Sequence, residues 1–308
     1  MLPPLLEQFQ ALAKPSRSNY PWHHYHQGGQ HSFHLVICSI IHGNETGSLP
    51  AIIKLLQGLQ NQSISFGGNL TVILGNPEAA RQNVRFLEHD LNRMFLNTPH
   101  KTHEATRAQE LLPLITEGDL LIDLHQTIRK TLQPFYICPV TKPVLLWARA
   151  LSVTKSLVNA TPKNLKQSTT RCADELMYEQ GKPALTIELS EKGFNKEAEH
   201  YAFKACTRAF ALIDQIQNKS CTLKQAAQLK PALKIYETIL RAPYPSVAHQ
   251  LKEGLCNFMP ISKGELLSHS SSPVIEAEQD GLLLFPKYPD CSKPLPKHIY
   301  RIIQEQSA

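Results

Sequence analysis

Five short, unbroken apolar runs constrain this chain more than any other feature of its first two-thirds. They lie at residues 34–42, 69–76, 120–125, 135–140 and 184–189, each of strand length, with turn formers such as Gly68 and the Asn76-Pro77 pair at their edges. A strand that is apolar at every position is buried on both faces. Such runs belong to a mostly parallel sheet with helices packed on either side. Helical patterns do separate them. Ile52, Leu55, Leu56 and Leu59 recur at helical spacing, residues 102–114 are rich in Glu, Ala, Arg and Gln, and residues 197–217 are strongly helical. The expected fold class is α/β, a mixed but mostly parallel central sheet flanked by helices.

The pattern changes after Leu229. From there Pro, Gly and Ser punctuate short alternating segments, and Gly264 and Gly281 follow polar turns in the manner of hairpin loops. No helical pattern of any length continues. At about 150 residues per domain, the 308 residues predict two domains. Residues 1–228 form the α/β unit, and residues 229–308 a small all-β domain covering the mouth of the site.

Composition removes several function classes. With 42% apolar and 19% charged residues, the chain is an ordinary soluble globular protein. It holds only 14 glycines, and neither common glycine-rich phosphate cradle occurs. The formal charge of +6 comes from scattered Lys and Arg with no run of five. Nucleic-acid proteins concentrate such charge on one face, so the excess marks either a solvated surface or an anionic small substrate. The seven cysteines (Cys38, Cys138, Cys172, Cys206, Cys221, Cys256 and Cys291) form no C-x-x-C pair, which indicates neither a disulfide framework nor a zinc knuckle. Glu7 interrupts the apolar N-terminus, which has no basic flank and does not read as a signal peptide. Residues 132–153 are broken by Pro134, Pro139, Lys142, Pro143 and Arg149 and make no membrane span. A soluble protein of a reducing cytoplasm is expected, with neither nucleic acid nor membrane as partner; nothing in the sequence speaks to oligomeric state.

The chemistry-bearing residues sit at strand ends. The first run leads into His42-Gly43-Asn44-Glu45, the third ends in Asp123-Leu124-His125, and the fifth ends at Glu188. In open α/β sheets ligands bind beyond the carboxyl ends of the strands, so parallel strands would bring these groups to one rim. Two imidazoles and one carboxylate are what a hydrolytic zinc ion takes, with a position left open for water. The same residues also fit polar strand ends tied by hydrogen bonds alone. Asp123 is either a partner for an imidazole N–H or a cap on backbone donors. Arg85, Asn92 and Arg93 offer donors suited to a planar carboxylate, or else a solvated loop. The cluster His23-His24-Tyr25-His26 reads as an exposed, weakly basic loop, with a second metal site as the sharper alternative. Tyr288 is either a substrate contact or a packed aromatic.

Taken together, HGNE at residues 42–45, NPEAARQNVRFLEHDLNRMF at residues 76–95, IDLHQTIR at residues 122–129 and LTIEL at residues 185–189 resemble the succinylglutamate desuccinylase/aspartoacylase family. The segment DGLLLFPKYP at residues 280–289 resembles the end of that family's C-terminal β domain, so the likeness runs from about residue 34 to residue 288. The resemblance implies a zinc carboxypeptidase-like fold and a cytoplasmic amidohydrolase of amino-acid catabolism acting on a small anionic N-acyl amino acid. It implies one Zn2+ on His42, Glu45 and His125, with Glu188 as general base and then acid. It further implies Arg85 at the scissile carbonyl, Asn92 and Arg93 on the α-carboxylate, and substrate contacts from Arg129 and Tyr288. Two departures bear on the substrate. Tyr178 stands where aspartoacylases place a substrate-binding arginine, Arg171 being the nearest alternative, and ELSEKGF replaces the ELGK continuation usual in desuccinylases. DLHQTIR is nearer to the bacterial desuccinylase pattern and supplies Arg129 for a distal carboxylate.

Three functions are consistent with these residues: an amidohydrolase of N-acyl amino acids such as N-succinylglutamate or N-acetylaspartate, a carboxypeptidase or other amide or ester hydrolase on the same fold, and a non-catalytic metal-binding relative. Retention of both Glu188 and Arg85 favours a catalyst. Arg85, Asn92 and Arg93 favour a small anionic substrate.

Overall fold

The computed structural model describes residues 2–16, 18–96, 101–162, 164–288 and 295–306. Pro289 and Cys291, both singled out in the sequence, lie outside them. Chain order begins with α1 (Leu2–Leu12), β1 (His23–Gln27), β2 (His34–Ser39), α2 (Leu49–Gln60), β3 (Asn69–Leu74) and α3 (Pro77–Arg81). Next come α4 (His103–Thr116), β4 (Leu120–Thr127), β5 (Phe135–Cys138), α5 (Lys142–Leu151), β6 (Ser156–Asn159), α6 (Ala173–Glu179) and β7 (Ala184–Glu191). The chain continues through α7 (Lys196–Gln217), α8 (Leu223–Gln228), β8 (Lys234–Pro243), β9 (Pro260–Ile261), β10 (Gly281–Leu284) and β11 (His298–Glu305). Among the described residues no helix follows α8.

One sheet takes in every strand, in the order β1-β3-β2-β4-β7-β5-β6-β8-β11-β10-β9. Strands β3, β2, β4 and β7 are mutually parallel, and each is buried along almost its whole length. That is the expected outcome for continuous apolar runs covered on both faces. Helix α2 packs on α7 and α1, and α4 on α6, with Phe66 stacked on Phe210 at 4.5 Å inside the main core. The sheet is mixed: β1 and β5 run antiparallel to β3 and β7. Past β8 the strands are antiparallel, and two smaller apolar clusters form around Leu267, Leu283 and Ile302 and around Phe135, Phe258 and Ile303.

Three features differ from the sequence pattern. Strand β2 stops at Ser39 rather than running on to His42. Ile40 turns into the left-handed region at φ 55, a costly position for a β-branched residue, and this swings residues 42–45 across the strand ends. Gly43 permits the swing, since a Cβ there would lie 2.4 Å from the Ala79 carbonyl carbon. The histidine cluster is an edge strand and not an exposed loop, with His23 and His24 buried; their ring nitrogens accept from Ser16 N–H at 3.1 Å and Lys14 N–H at 3.2 Å. Residues 142–151 form a helix despite Pro143, because that proline sits in the first turn, where its missing N–H costs nothing.

The loop that carries Arg85, Asn92 and Arg93 is organised from beneath by Glu104, at the start of α4. Its fully buried carboxylate accepts from the N–H groups of Leu87 at 2.7 Å and of Glu88 and His89 at 3.1 Å, and from Asn76 Nδ2 at 3.0 Å. Burial alone would raise its pKa, but these donors more than offset that and hold it below the usual carboxylate range. Glu104→Ala strands those backbone donors and should lower stability by about 3 kcal/mol, read as a fall in the urea midpoint at unchanged m-value. A carboxyl depressed on folding stabilises above the ordinary glutamate pKa of about 4.3 and loses that contribution as pH falls through the folded value. Wild-type stability should therefore drop on acidification below about pH 4.3, and Glu104→Gln should flatten that acid limb.

Candidate active site

The parallel register places the strand-end groups side by side. Cys38 pairs with Asp123 across β2 and β4, and His125 pairs with Glu188 across β4 and β7. Asp123 and His125, two apart on one strand, share a face, and His125 Nε2 lies 2.8 Å from Asp123 Oδ2. That contact puts the ring proton on Nε2 and turns the Nδ1 lone pair inward. Glu45 Oε2 is 2.9 Å from His125 Nδ1, Glu45 Oε1 is 2.8 Å from His42 Nδ1, and the two Nδ1 atoms stand 3.2 Å apart. All three residues are buried. Ligand atoms of His42, Glu45 and His125 lie within 4.8 Å of one another, a group that can hold a metal ion; the cluster His23–His26 enters no such group among the described residues.

The electrostatics agree with a site built for a cation. Burial pushes Glu45 upward, yet the neighbouring imidazoles of His42 and His125 hold it well below the carboxylate range. His125 is driven down by burial but lifted further by the Asp123 and Glu45 carboxylates, ending well above the usual imidazole value. Without a cation the nitrogen-facing cluster must keep a proton, and a metal ion would replace it. Glu188 stands apart from this pairing. Burial, and then the charge of Glu45, push it up to about 8, and its Oε2 is buried with no hydrogen-bond partner among the described residues.

Arg85 reaches the same group. Its NH1 donates to Glu45 Oε1 at 3.1 Å, and Nε and NH2 both donate to Asp90 Oδ2 at 3.2 Å. Asp90 Oδ1 is 3.0 Å from His42 Nε2 and orients that ring as Asp123 orients the other. Burial favours the neutral acid at Asp90, but His42, Arg85 and Arg93 hold it far below its usual range. Asp90 escaped the sequence reading although it stands inside the quoted motif, two residues before Asn92.

Asn92 and Arg93 sit on a short 3-10 turn fastened to the start of α6. Asn92 Oδ1 accepts from Ala173 N–H at 3.0 Å, and Arg171 N–H donates to the Arg93 carbonyl at 3.2 Å. Arg93 NH1 donates to Asn92 O at 2.6 Å and to Cys172 Sγ at 2.9 Å. With that terminal nitrogen occupied, and with no bond to Nε or NH2 among the described residues, the other edge of the guanidinium offers a fork matched to a carboxylate. Arg171 is committed elsewhere, to Glu179 at 2.8 Å and the Leu165 carbonyl at 3.2 Å.

Arg129 and Tyr288 lie farther out. The Arg129 guanidinium stacks on the Tyr288 ring at 4.1 Å, and Tyr288 OH donates to the Lys252 carbonyl at 2.7 Å. Together with Lys130, Glu191, Glu253 and Leu255 they line a cavity of about 350 Å³. It lies past the ends of β4 and β7, and none of His42, Glu45, His125 and Glu188 lines it.

Residues 33–213 match the succinylglutamate desuccinylase/aspartoacylase catalytic domain. The chain belongs to that family. A succinylglutamate desuccinylase of Pseudomonas putida (strain GB-1) is 28% identical over 268 residues, covering 82% of this chain and 78% of that one. One from Photorhabdus laumondii is 39% identical over 119 residues, a stretch covering 34% of this chain and 36% of that relative. Among solved structures, the succinylglutamate desuccinylase of Chromobacterium violaceum superposes with a TM-score of 0.72 at 18% identity, covering 99% of this chain and 98% of that one. Murine aminoacylase 3 gives 0.63 at 18% identity, covering 89% and 95%. The fold is the one these proteins share, and the family is one of hydrolases that act on the amide bond of N-acyl amino acids. No helix among the described residues is long and apolar enough to cross a membrane.

An imidazole ligand depends on the carboxylate that orients it. Asp123→Ala should weaken divalent-metal affinity by about 10- to 100-fold, measured by competition against a chromophoric chelator. Unchanged affinity would show that Asp123 does not set the His125 ring.

Proposed function

We propose that this protein is a cytoplasmic zinc-dependent amidohydrolase that removes the acyl group from an N-acyl amino acid of the N-succinylglutamate type. One observation carries the reading: the buried His42, Glu45 and His125 group lies beside a carboxylate, Glu188, that is raised to about 8 and has a buried, unpartnered oxygen. Two imidazoles and a carboxylate suit zinc with an open position. When bound there, zinc supplies Lewis acidity and lowers the pKa of a water from 15.7 to roughly 7.

The chain's own groups do the rest. Glu188 takes the proton of the attacking water and returns it to the leaving amine, a task that needs a carboxyl with a pKa near the working pH. Arg85 steadies the oxyanion, and Asp90 holds both Arg85 and His42 in place for it. Asn92 and the free edge of Arg93 bind the α-carboxylate. Arg129, in its outer cavity with Tyr288, is the proposed reader of a distal carboxylate on the acyl group. The desuccinylase names of the relatives support the succinyl choice. Free thiols at Cys38, Cys138, Cys172, Cys206, Cys221 and Cys256 suit a reducing compartment. We also propose that residues 229–308 form the domain that closes over the mouth.

Purified protein should hold about one zinc per chain, as a single site with two imidazoles and a carboxylate requires. His125→Ala should lose it, whereas Glu188→Gln should keep both zinc and fold while hydrolysis drops about 100-fold or more. Metal analysis and steady-state rates on N-succinylglutamate separate the two, and near wild-type turnover in Glu188→Gln would assign the proton transfer to another group.

Comparing N-succinyl- with N-butyryl-glutamate isolates the distal carboxylate. Wild type should prefer the succinyl compound by about one to two decades in kcat/KM, the worth of a charge-assisted pair. Arg129→Ala should lose most of that preference; equal discrimination by the mutant removes Arg129 from substrate recognition.

A further inference from the structure

Strand β2 ends at Ser39, so the loop that carries Glu45 lies beyond the ladder. One residue holds that loop twice. The Gln126 backbone N–H donates to Glu45 Oε2 at 3.0 Å, and its side-chain Oε1 accepts from Gly47 N–H at 2.7 Å. The same side chain reaches the strand of Glu188, where Nε2 donates to the Glu191 carbonyl at 2.6 Å and to the Gly193 carbonyl at 3.0 Å. Gln126 is buried, and its amide spends an acceptor on one segment and both donor hydrogens on the other. A flipped amide would set NH2 against the Gly47 N–H and its oxygen against two carbonyls, so the partners fix its orientation.

The residue stands at an irregularity in the sheet. His125 pairs with Glu188, but Thr127 pairs with Glu191, so β7 advances one residue more than β4 across Gln126. Such a slip leaves backbone groups without ladder partners, and the Gln126 amide takes up the Glu191 carbonyl there. Glycines let the segments close on it. A Cβ on Gly47 would lie 2.5 Å from Gln126 Nε2 and 2.7 Å from the Gly193 carbonyl oxygen, and Gly193 itself is turned to φ 91. Asn195 donates to the same two carbonyls at 2.9 and 3.3 Å while its side-chain oxygen caps α7. The turn after β7 therefore has a second anchor, but among the described residues the Asn195 side chain makes no bond to the loop of Glu45. Gln126 joins the two segments.

Resting on the function proposed above, we propose that Gln126 is a positioning residue that locks the Glu45 loop to the strand of Glu188, so that the metal-binding carboxylate and the proton carrier keep one fixed relation. Gln126 is not itself in the group that can hold a metal; its effect passes through Glu45 and through the strand end beyond Glu188. A ligating carboxylate keeps its orientation through its own hydrogen bonds, and small misplacements of reacting groups are costly in rate. Glutamine suits the task, since glutamate has no donor for the two carbonyls and asparagine is one methylene shorter.

Three variants of the full chain test this. Gln126→Met keeps the size of the side chain but loses the amide, Gln126→Asn keeps the amide but shortens its reach, and Asn195→Ala removes the other anchor of the same turn as a structural control. Competition against a chromophoric chelator reads zinc affinity without turnover, and urea unfolding reads stability. Gln126→Met should bind zinc about tenfold more weakly and Gln126→Asn about threefold, whereas Asn195→Ala, even with a lower urea midpoint, stays within about twofold of wild type. At saturating zinc, Gln126→Met should lower kcat on N-succinylglutamate by about tenfold with KM held within about twofold, which marks misaligned chemistry and not a lost substrate contact. Wild-type zinc affinity in both Gln126 variants overturns the assignment. So does an unchanged kcat in zinc-saturated Gln126→Met, or an affinity that falls in step with the urea midpoint in all three variants. Should Gln126→Met fail to fold, Gln126→Asn decides by the same measurements. If zinc affinity falls in the Gln126 variants alone but wild type hydrolyses no N-acyl amino acid, the positioning role stands and the proposed reaction falls.

Discussion

Everything at the candidate site depends on how a small volume at the ends of β2, β4 and β7 accommodates Glu45, Asp123, His125 and Glu188 away from water. An isolated buried charge is prohibitively costly, so each must be matched in place. The register does the matching: His125 stands between Asp123 on its own strand, Glu45 from the loop after β2, and Glu188 across the ladder. Three acids around one imidazole leave a surplus of negative charge, and two consequences follow. Arg85 is drawn in to pair with Glu45 and Asp90, and Glu188, whose Oε2 has no hydrogen-bond partner among the described residues, is pushed toward its neutral form. A cation-binding group and a proton carrier thus arise from the same imbalance.

The surrounding structure is arranged to hold that volume. Ile40, strained at φ 55, and Gly43, with no room for a side chain, bend the loop after β2 over the strand ends. Gln126 closes the opposite side. Its backbone N–H donates to Glu45 Oε2 at 3.0 Å, its side-chain oxygen accepts from Gly47 N–H at 2.7 Å, and its Nε2 donates to the Glu191 carbonyl at 2.6 Å. Below the arginine loop, Glu104 gathers three consecutive backbone donors. A loop dense in guanidinium and carboxylate groups would otherwise sample many arrangements; buried hydrogen bonds restrict it to one.

The C-terminal strands extend the same sheet through the β6–β8 pairing, so their charged side chains are carried on a rigid support.

Much of this was legible in the linear chain. Runs of apolar residues specify doubly covered strands, and the helical patterns at residues 102–114 and 197–217 are helices whose first turns the structure caps with Thr102 and Asn195. Period, capping and turn chemistry act over a few residues, so sequence alone suffices for them, and the grouping of HGNE, DLH and Glu188 followed from strands that end alike. What remained hidden depends on which segments become neighbours. The burial of His23 and His24, the reversal of β5, the hold of Asp90 on His42 and the support from Glu104 all join residues far apart in the chain. Only the folded sheet order brings these groups within reach, and only desolvation there turns ordinary surface residues into buried pairs whose charge state is set by their neighbours.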